Sequence, residues 1–340
     1  MKHNTTNLLW ELQRKTENIP KGELVLKKHF SEQTDSALLS GHFSLCSDGK
    51  GLLEYFCVYP GIEVFFCNYV AKFMKDHHTP YDHVLQINHC NYGRMGWDMG
   101  DNTSIYLGPG DLSLHMMDTC ADSEITFPLG YYYGISIHID LDILSRQTPE
   151  ILREAELDGT SLYRKFCENE KYTAMPANPR IEHIFSELYD LPKNMLLPYF
   201  KLKIQELLLF LNLLNPALER KLTPQLSRQV EIIQQIQHQL TLHPEHRFTI
   251  DDLSKQYLIN TTTLKDTFKN VYGMPIATYM KDFRMKKAAV LLVDTNNSIA
   301  DIATAVGYEN QSKFSNAFRD IFQILPTAYR KQYKRATLNR

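Results

Sequence analysis

Long apolar runs are missing from this 340-residue chain. The longest, residues 207–214, is interrupted by Asn212 and falls far short of the roughly 20 residues that a membrane-crossing helix needs. The opening Met1-Lys2-His3-Asn4 leads into no apolar segment of the signal-peptide kind, so a cytosolic protein without membrane contact is the expectation. Cysteine is sparse as well. The six copies, Cys46, Cys57, Cys67, Cys90, Cys120 and Cys167, lie in the first half and form no Cys-x-x-Cys pair. That removes zinc-ribbon and thioredoxin-like chemistry and leaves buried, reduced side chains, with redox sensing as the minor alternative. A nucleophile elbow, a phosphate loop and a dinucleotide fingerprint are all absent. There is no His-x-His pair either, so a metal site would need His83, His89, His115 and His138, with Asp140, to converge from separate stretches. Neither a cofactor nor a catalytic group is expected.

What is there permits two domains with ordinary cores, since 43% of the residues are hydrophobic and 22% charged. The net charge of −2 hides an asymmetry. Residues 228–340 hold 16 Lys plus Arg against 10 Asp plus Glu, a balance of +6, which leaves 21 against 29, or −8, for residues 1–227. A polyanion suits the C-terminal part and not the whole chain.

The C-terminal part also contains one pattern written twice. Thr249-Ile250-Asp251-Asp252-Leu253 and Ser298-Ile299-Ala300-Asp301-Ile302 each place a hydroxyl three residues before an acid at the mouth of an apolar period, which is a helix start. A second helix follows in each copy, at residues 261–272 and 310–322, giving two helix-turn-helix motifs at 249–272 and 298–322. Ser298 lies 49 residues after Thr249, whereas Phe314 and Phe318 lie 50 after Leu264 and Phe268, so the copies differ by one residue in the turn. Between them, residues 275–292 read as one helix with Tyr279, Phe283, Ala288, Leu291 and Leu292 largely on one face, about 27 Å long at ~1.5 Å per residue. A rod of that size can hold two recognition helices in successive major-groove faces of one DNA, ~34 Å apart.

The earlier part of the chain is of a different kind. Past a short helical pattern near residues 8–15, apolar runs alternate with turn residues. Residues 52–59 and 62–69 flank Pro60-Gly61, 83–90 precede Asn91-Tyr92-Gly93, and 104–107 precede Gly108-Pro109-Gly110-Asp111, with 112–117 and 131–141 continuing the series. Such punctuation predicts a small β-barrel or sandwich. Thr148-Pro149 and Asn178-Pro179 each read as a helix cap and a first-turn proline, opening helices at 149–157 and 179–190. Residues 199–214 form a helix that is apolar beyond one face, consistent with burial or with a subunit contact. Asn215-Pro216 ends it.

Leu253, Phe268-Lys269 and Tyr272-Gly273, the run Phe283-Arg284-Met285-Lys286-Lys287-Ala288, Ile299 to Ala303 with Val306-Gly307-Tyr308, Phe314, Phe318-Arg319 and the closing Pro326, Tyr329 and Arg330 together resemble the AraC/XylS family of bacterial transcription regulators. Two positions depart from it: the family usually has Gly near Gln323 and Ser or Thr at Leu325, which shape the last turn. The resemblance covers roughly the last hundred residues and implies an α+β organisation. Its parts are a cupin-like β-barrel sensor over 1–178, a helical dimerisation segment over 179–215, a linker over 216–227 and an all-α DNA-binding domain over 228–335. Base-reading positions fall by motif position on Thr262, Thr263, Lys265 and Asp266 in the first copy and on Gln311, Ser312, Lys313 and Asn316 in the second. Lys269, Arg284, Lys286 and Arg319 are phosphate candidates or solvated helix charges. Phe56, Phe65, Trp97, Tyr131 and Tyr133 are pocket candidates, although alternation along a strand lets only some of them face one cavity. Phe200, Ile204, Leu207, Leu208 and Leu211 are the dimerisation candidates.

The implied protein is a homodimeric regulator on double-stranded promoter DNA, an activator working with RNA polymerase under control of a small-molecule effector. The alternatives are a metal-dependent cupin enzyme fused to a DNA-binding domain, and a ligand-independent regulator governed by a protein partner.

Overall fold

A computed structural model describes residues 11–29, 44–77, 81–99, 101–120 and 122–338, which divide into two compact units, Met1–Pro224 and Gln225–Arg340. Of the short helix expected at 8–15, residues 11–15 are helical and 8–10 lie outside the described residues. Among the described residues no helix is long and apolar enough to cross a membrane.

The first unit is rich in sheet. Its strands are β1 (Leu24–His29), β2 (Ser44–Ser47), β3 (Lys50–Tyr59), β4 (Ile62–Val70), β5 (Phe73–His77), β6 (Val84–Gly93), β7 (Met95–Asp98), β8 (Thr103–Leu107), β9 (Leu112–Met116), β10 (Asp122–Thr126), β11 (Tyr132–Asp140) and β12 (Tyr172–Met175). Seven form one sheet in the order β1-β3-β4-β11-β6-β9-β12, and β8-β7-β10-β5-β2 are neighbours in a second, so of the expected barrel or sandwich the strands make two sheets and no single closed barrel. β1 pairs parallel with β3, and the long connection from His29 to Lys50 makes that geometry reachable.

Both faces of the larger sheet are covered. On β4, Val64 and Phe66 enter one core while Phe65, Cys67 and Tyr69 enter another between the sheets, which is why the strand reads Ile-Glu-Val-Phe-Phe-Cys-Asn-Tyr-Val with hardly a polar position. Beyond the helical residues 11–15, the α-helices described in this unit are α1 (Leu141–Arg146), α2 (Glu150–Glu154), α3 (Gly159–Phe166), α4 (Pro179–Phe185) and α5 (Leu196–Leu213). Asn178 caps α4 as expected, accepting from the Arg180 and Ile181 amides at 3.0 Å, and residues 186–190 continue it as a 3-10 turn. Thr148 does not cap α2. Its hydroxyl donates back to the Leu144 carbonyl at 2.7 Å, and the helix stops at Glu154, earlier than expected.

The five dimerisation candidates need correcting. Phe200, Ile204, Leu207, Leu208 and Leu211 are at most 2% exposed and pack in their own unit's core with Phe56, Phe66 and Phe185. α5 is broadly apolar because several of its faces meet its own domain. The large apolar side chains it leaves outward are Leu202 and Leu213, 64% and 81% exposed.

The second unit is helical: α6 (Ser227–Leu242), α7 (Ile250–Gln256), α8 (Thr261–Tyr272), α9 (Ile276–Asp294), α10 (Ile299–Ala305), α11 (Gln311–Phe322) and α12 (Pro326–Leu338). Leu253, Leu264 and Phe268 are fully buried in the first motif, and Ile302, Phe314 and Phe318 in the second. α9 buries Ile276, Met280, Met285, Ala288, Ala289 and Leu292 on more than one side, because it packs against helices of both copies. Of the expected single face, Ala288 and Leu292 are therefore buried, while Tyr279, Phe283 and Leu291 are only half-buried.

Candidate nucleic-acid interface and interior cavity

The two motifs are closed by the same bonds. Thr249 Oγ1 accepts from the Asp252 amide at 3.1 Å and Asp252 Oδ2 accepts from the Thr249 amide at 3.2 Å. Ser298 and Asp301 repeat this pair at 3.1 and 3.2 Å. Each recognition helix, α8 and α11, then starts on an asparagine. Asn260 Oδ1 takes the Thr263 amide at 2.8 Å, and Asn310 Oδ1 takes the Ser312 and Lys313 amides at 2.8 and 3.1 Å. Both helices end on a left-handed residue, Gly273 at φ +78° and Gln323 at φ +61°, whose amides return to Lys269 and Arg319. Gln323, where the sequence departs from the family, thus occupies a backbone conformation that favours glycine.

Helical spacing fixes what faces out. On α8 the buried residues Leu264, Thr267, Phe268, Val271 and Tyr272 leave Thr262, Lys265, Asp266 and Lys269 exposed, with Thr263 half-buried. On α11, Phe314, Ala317 and Phe318 are buried and Gln311, Ser312, Lys313, Asn316 and Arg319 are exposed. Gln311, Lys313, Lys265, Asp266 and Lys269 make no side-chain hydrogen bond or ion pair among the described residues, while Arg319 donates to Asn316 Oδ1 at 3.2 Å.

The other two phosphate candidates are engaged internally. Lys286 pairs with Asp282 at 2.8 Å along α9. Arg284 donates through Nε to the Pro244 carbonyl at 2.7 Å and through Nη2 to the His246 carbonyl at 3.0 Å. Two further cations, not singled out as site residues from the sequence, behave alike. Arg330 donates to the Leu292 and Asn297 carbonyls at 3.1 and 2.7 Å, and Lys334 donates to the Thr295 carbonyl at 3.0 Å. The available signal was the copy offset, because Lys334 lies 50 residues after Arg284.

The first unit holds a partly open cavity of about 590 Å³. Phe65 and Trp97 line it, with Tyr69 and Tyr132, whereas Phe56, Tyr131 and Tyr133 belong to the core on the opposite face of the sheet. Strand register sets His138 beside Gln86, and Gln86 beside His115, across β11, β6 and β9. Ser136 and Asn88 form the next row. Gln86 Nε2 donates to Asn88 Oδ1 at 3.2 Å and to Ser136 Oγ at 3.0 Å, and Ser136 Oγ lies 3.2 Å from His138 Nε2. No Lys or Arg is among the lining residues.

The remaining metal candidates are scattered. His89 is on the other face, stacked on Phe185 with centroids 4.1 Å apart and its Nδ1 2.8 Å from the Tyr189 hydroxyl; burial pushes its pKa down to about 3. His83 pairs with Asp82 and Asp140 at 3.1 and 3.6 Å. Among the described residues no group of three or more His, Cys, Asp or Glu is placed to hold a metal ion.

Residues 253–332 match the family model described as a helix-turn-helix domain. The chain is 34% identical over 86 residues to the HTH-type transcriptional activator RhaR of Mannheimia succiniciproducens, covering 25% of this chain and 31% of that one. It is 30% identical over 132 residues to the HTH-type transcriptional regulator ExsA of Pseudomonas aeruginosa, 38% and 46% of the two chains. To the lactose operon transcription activator of Staphylococcus xylosus it is 32% identical over 122 residues, 34% and 43% of the two chains. The chain thus spans less than half the length of each of these relatives.

Proposed function

We propose that the C-terminal unit is a DNA-binding domain of the AraC/XylS kind and that the chain is a sequence-specific regulator of transcription whose DNA binding is controlled from its N-terminal unit. One observation carries the reading. Two recognition helices of the same construction each turn a polar and basic face outward on a buried apolar back. An exposed glutamine such as Gln311 can pair bidentately with adenine, and Lys313 can donate to guanine or to phosphate. On α8, Thr262, Thr263 and Lys265 are the corresponding readers, and Asp266 can only accept, from cytosine N4 or adenine N6. Lys269 and Arg319 are left as the exposed phosphate contacts. Activation at promoter DNA, together with RNA polymerase and as a homodimer, is the working form, in keeping with the activators among the relatives.

The cavity supports an effector site. Amides, hydroxyls and imidazoles from Gln86, Asn88, Ser136, His115 and His138 on one side, with the rings of Trp97, Phe65 and Tyr69 on another and the Glu23 carboxylate in the lining, suit a molecule without negative charge that has a hydrogen-bonding edge and an apolar face. A carboxylate or phosphate would be desolvated there without a counter-charge. Such a ligand acts on DNA binding only so far as it binds two states of the protein with different affinity.

The test is selection of bound DNA from a random pool by the full-length protein, repeated with Gln311→Ala and Lys313→Ala combined. A motif of two contact blocks about one helical turn apart, blurred at one block in the double variant, is the expected result. No enriched motif from the full chain would end the regulator reading.

A further inference from the structure

Pro244 sits at a junction of the second unit. It lies in the loop from α6 to α7, which delivers the first motif's cap at Thr249. From the middle of α9, Arg284 reaches this loop with two donors, Nε to the Pro244 carbonyl at 2.7 Å and Nη2 to the His246 carbonyl at 3.0 Å. The second motif touches the same backbone. Gly307, in the turn between α10 and α11 at φ +80°, approaches so closely that a Cβ there would stand 2.7 Å from the Pro244 oxygen and 3.0 Å from the Glu245 oxygen.

The strut recurs in the second copy. Lys334 Nζ donates to the Thr295 carbonyl at 3.0 Å. Thr295 follows His246 by 49 residues and Lys334 follows Arg284 by 50, the same offsets that separate the caps and the recognition helices. The second entry loop has two holders, because Arg330 also donates through Nε and Nη2 to the Leu292 and Asn297 carbonyls at 3.1 and 2.7 Å. In the first copy the fork is Arg284 itself: a guanidinium is planar, and two donors on two carbonyls fix the loop's direction as well as its position, whereas the ammonium of Lys334 is a point.

We propose that Arg284 is a positioning residue for DNA reading: with the Gly307 turn it holds the first motif's entry loop, and so sets the offset between α8 and α11. The proposal rests on the DNA-reading role above. When two heads are locked at the right offset, the second engagement is intramolecular, and the pair binds by a factor of ~10²–10⁴ better than either head alone. A loosened joint keeps each head's own contacts. It loses part of that gain, and with it the penalty on wrongly spaced sites.

The sequence offers Arg284 as a phosphate contact, and the two roles give different readouts. A phosphate contact adds about one to the slope of log affinity against log salt and strengthens binding to all DNA alike. A strut acts on spacing and leaves the salt slope alone.

The experiment uses the full-length protein with Arg284→Ala and Arg284→Lys. Binding is measured across a salt series on the site selected from the random pool, and on versions with one or two base pairs added between the contact blocks. Wild type is expected to bind the mis-spaced sites about tenfold or more weakly. In Arg284→Ala the selected site weakens by about tenfold, the spacing penalty shrinks to within about threefold, and the salt slope is unchanged. Arg284→Lys keeps the charge and one donor, so its spacing penalty falls between the two, and it reports even where the alanine variant does not fold. A salt slope lowered by about one with the spacing penalty intact overturns the proposal, as does a lysine variant with the full wild-type penalty. A wild-type protein that selects no two-block motif fails earlier, at the regulator reading itself.

Discussion

The two helix-turn-helix copies agree in their capping boxes and differ where the chain must take a left-handed turn. Each copy has two such residues, one in the turn between its helices and one just after its recognition helix. The first copy has Leu258 at φ +51° and Gly273 at φ +78°; the second has Gly307 at φ +80° and Gln323 at φ +61°. Each copy therefore has glycine at one of the two places, and at opposite ones. Glycine is obligatory only where a side chain would meet backbone, as at Gly307 above Pro244. Leu258, 93% exposed, has room for its side chain and bears the conformational strain alone. Contact between the copies, rather than the motif itself, decides which turn must lack a Cβ.

The largest effects should come from the apolar backs of the recognition helices. Phe268→Ala and Phe318→Ala each remove a fully buried ring and should cost about 3–5 kcal/mol, read as a lowered urea midpoint. Equal losses would support equal copies. A loss confined to one would show that the other packs loosely enough to collapse around the gap. Next comes Gly307→Ala, at roughly 2–3 kcal/mol, from the left-handed backbone and from a Cβ that forces the Pro244 loop to move. If Gly307→Ala is as stable as wild type, the two copies do not meet at Pro244 and the comparison loses its main distinction.

The same contrast separates what could be read in the sequence from what could not. Capping hydroxyls, their acids three residues on and the apolar period act within a turn or two of helix, so the starts of α7 and α10 and the copy offsets could be read from residue types alone. The partner of Arg284 lies 40 residues away in sequence, at Pro244, and nothing in the run Phe283-Arg284-Met285 distinguishes a cation that holds a loop from one that faces solvent. Long-range pairing hid the rest in the same way. Phe56 and Phe65 look alike in the sequence, but the β3–β4 register sets Phe56 opposite Val64, in the core under α5, and Phe65 opposite Tyr55, on the cavity side. The leucines of α5 carry no mark that says whether a sheet of the same chain or another subunit covers them. β1 passed unread because its burial pattern is mostly exposed, with none of the alternation that betrays a half-buried strand.

Smaller effects test whether the copies are equivalent where they look identical. Thr249→Ala and Ser298→Ala should each cost about 1 kcal/mol, since each deletes one arm of a capping box of matching geometry. Values that differ by more than their errors would mean that the fold values the two entrances differently despite equal bond lengths.

The smallest effects belong to the left-handed sites without glycine. Leu258→Gly and Gln323→Gly each relieve about 1–2 kcal/mol of backbone strain, against which the freer unfolded chain takes back about 0.4–1 kcal/mol. A net gain near 0.5 kcal/mol is expected from either, as a small rise in the urea midpoint. Gln323 also donates from Nε2 to the Asp320 carbonyl at 2.9 Å, a bond the glycine variant loses, so its gain should be the lesser of the two. A double variant should be additive within error, because the two residues close different turns of different copies. Coupling between them would instead mean that strain in one motif is felt in the other, a route for which the Pro244 junction is the structural candidate.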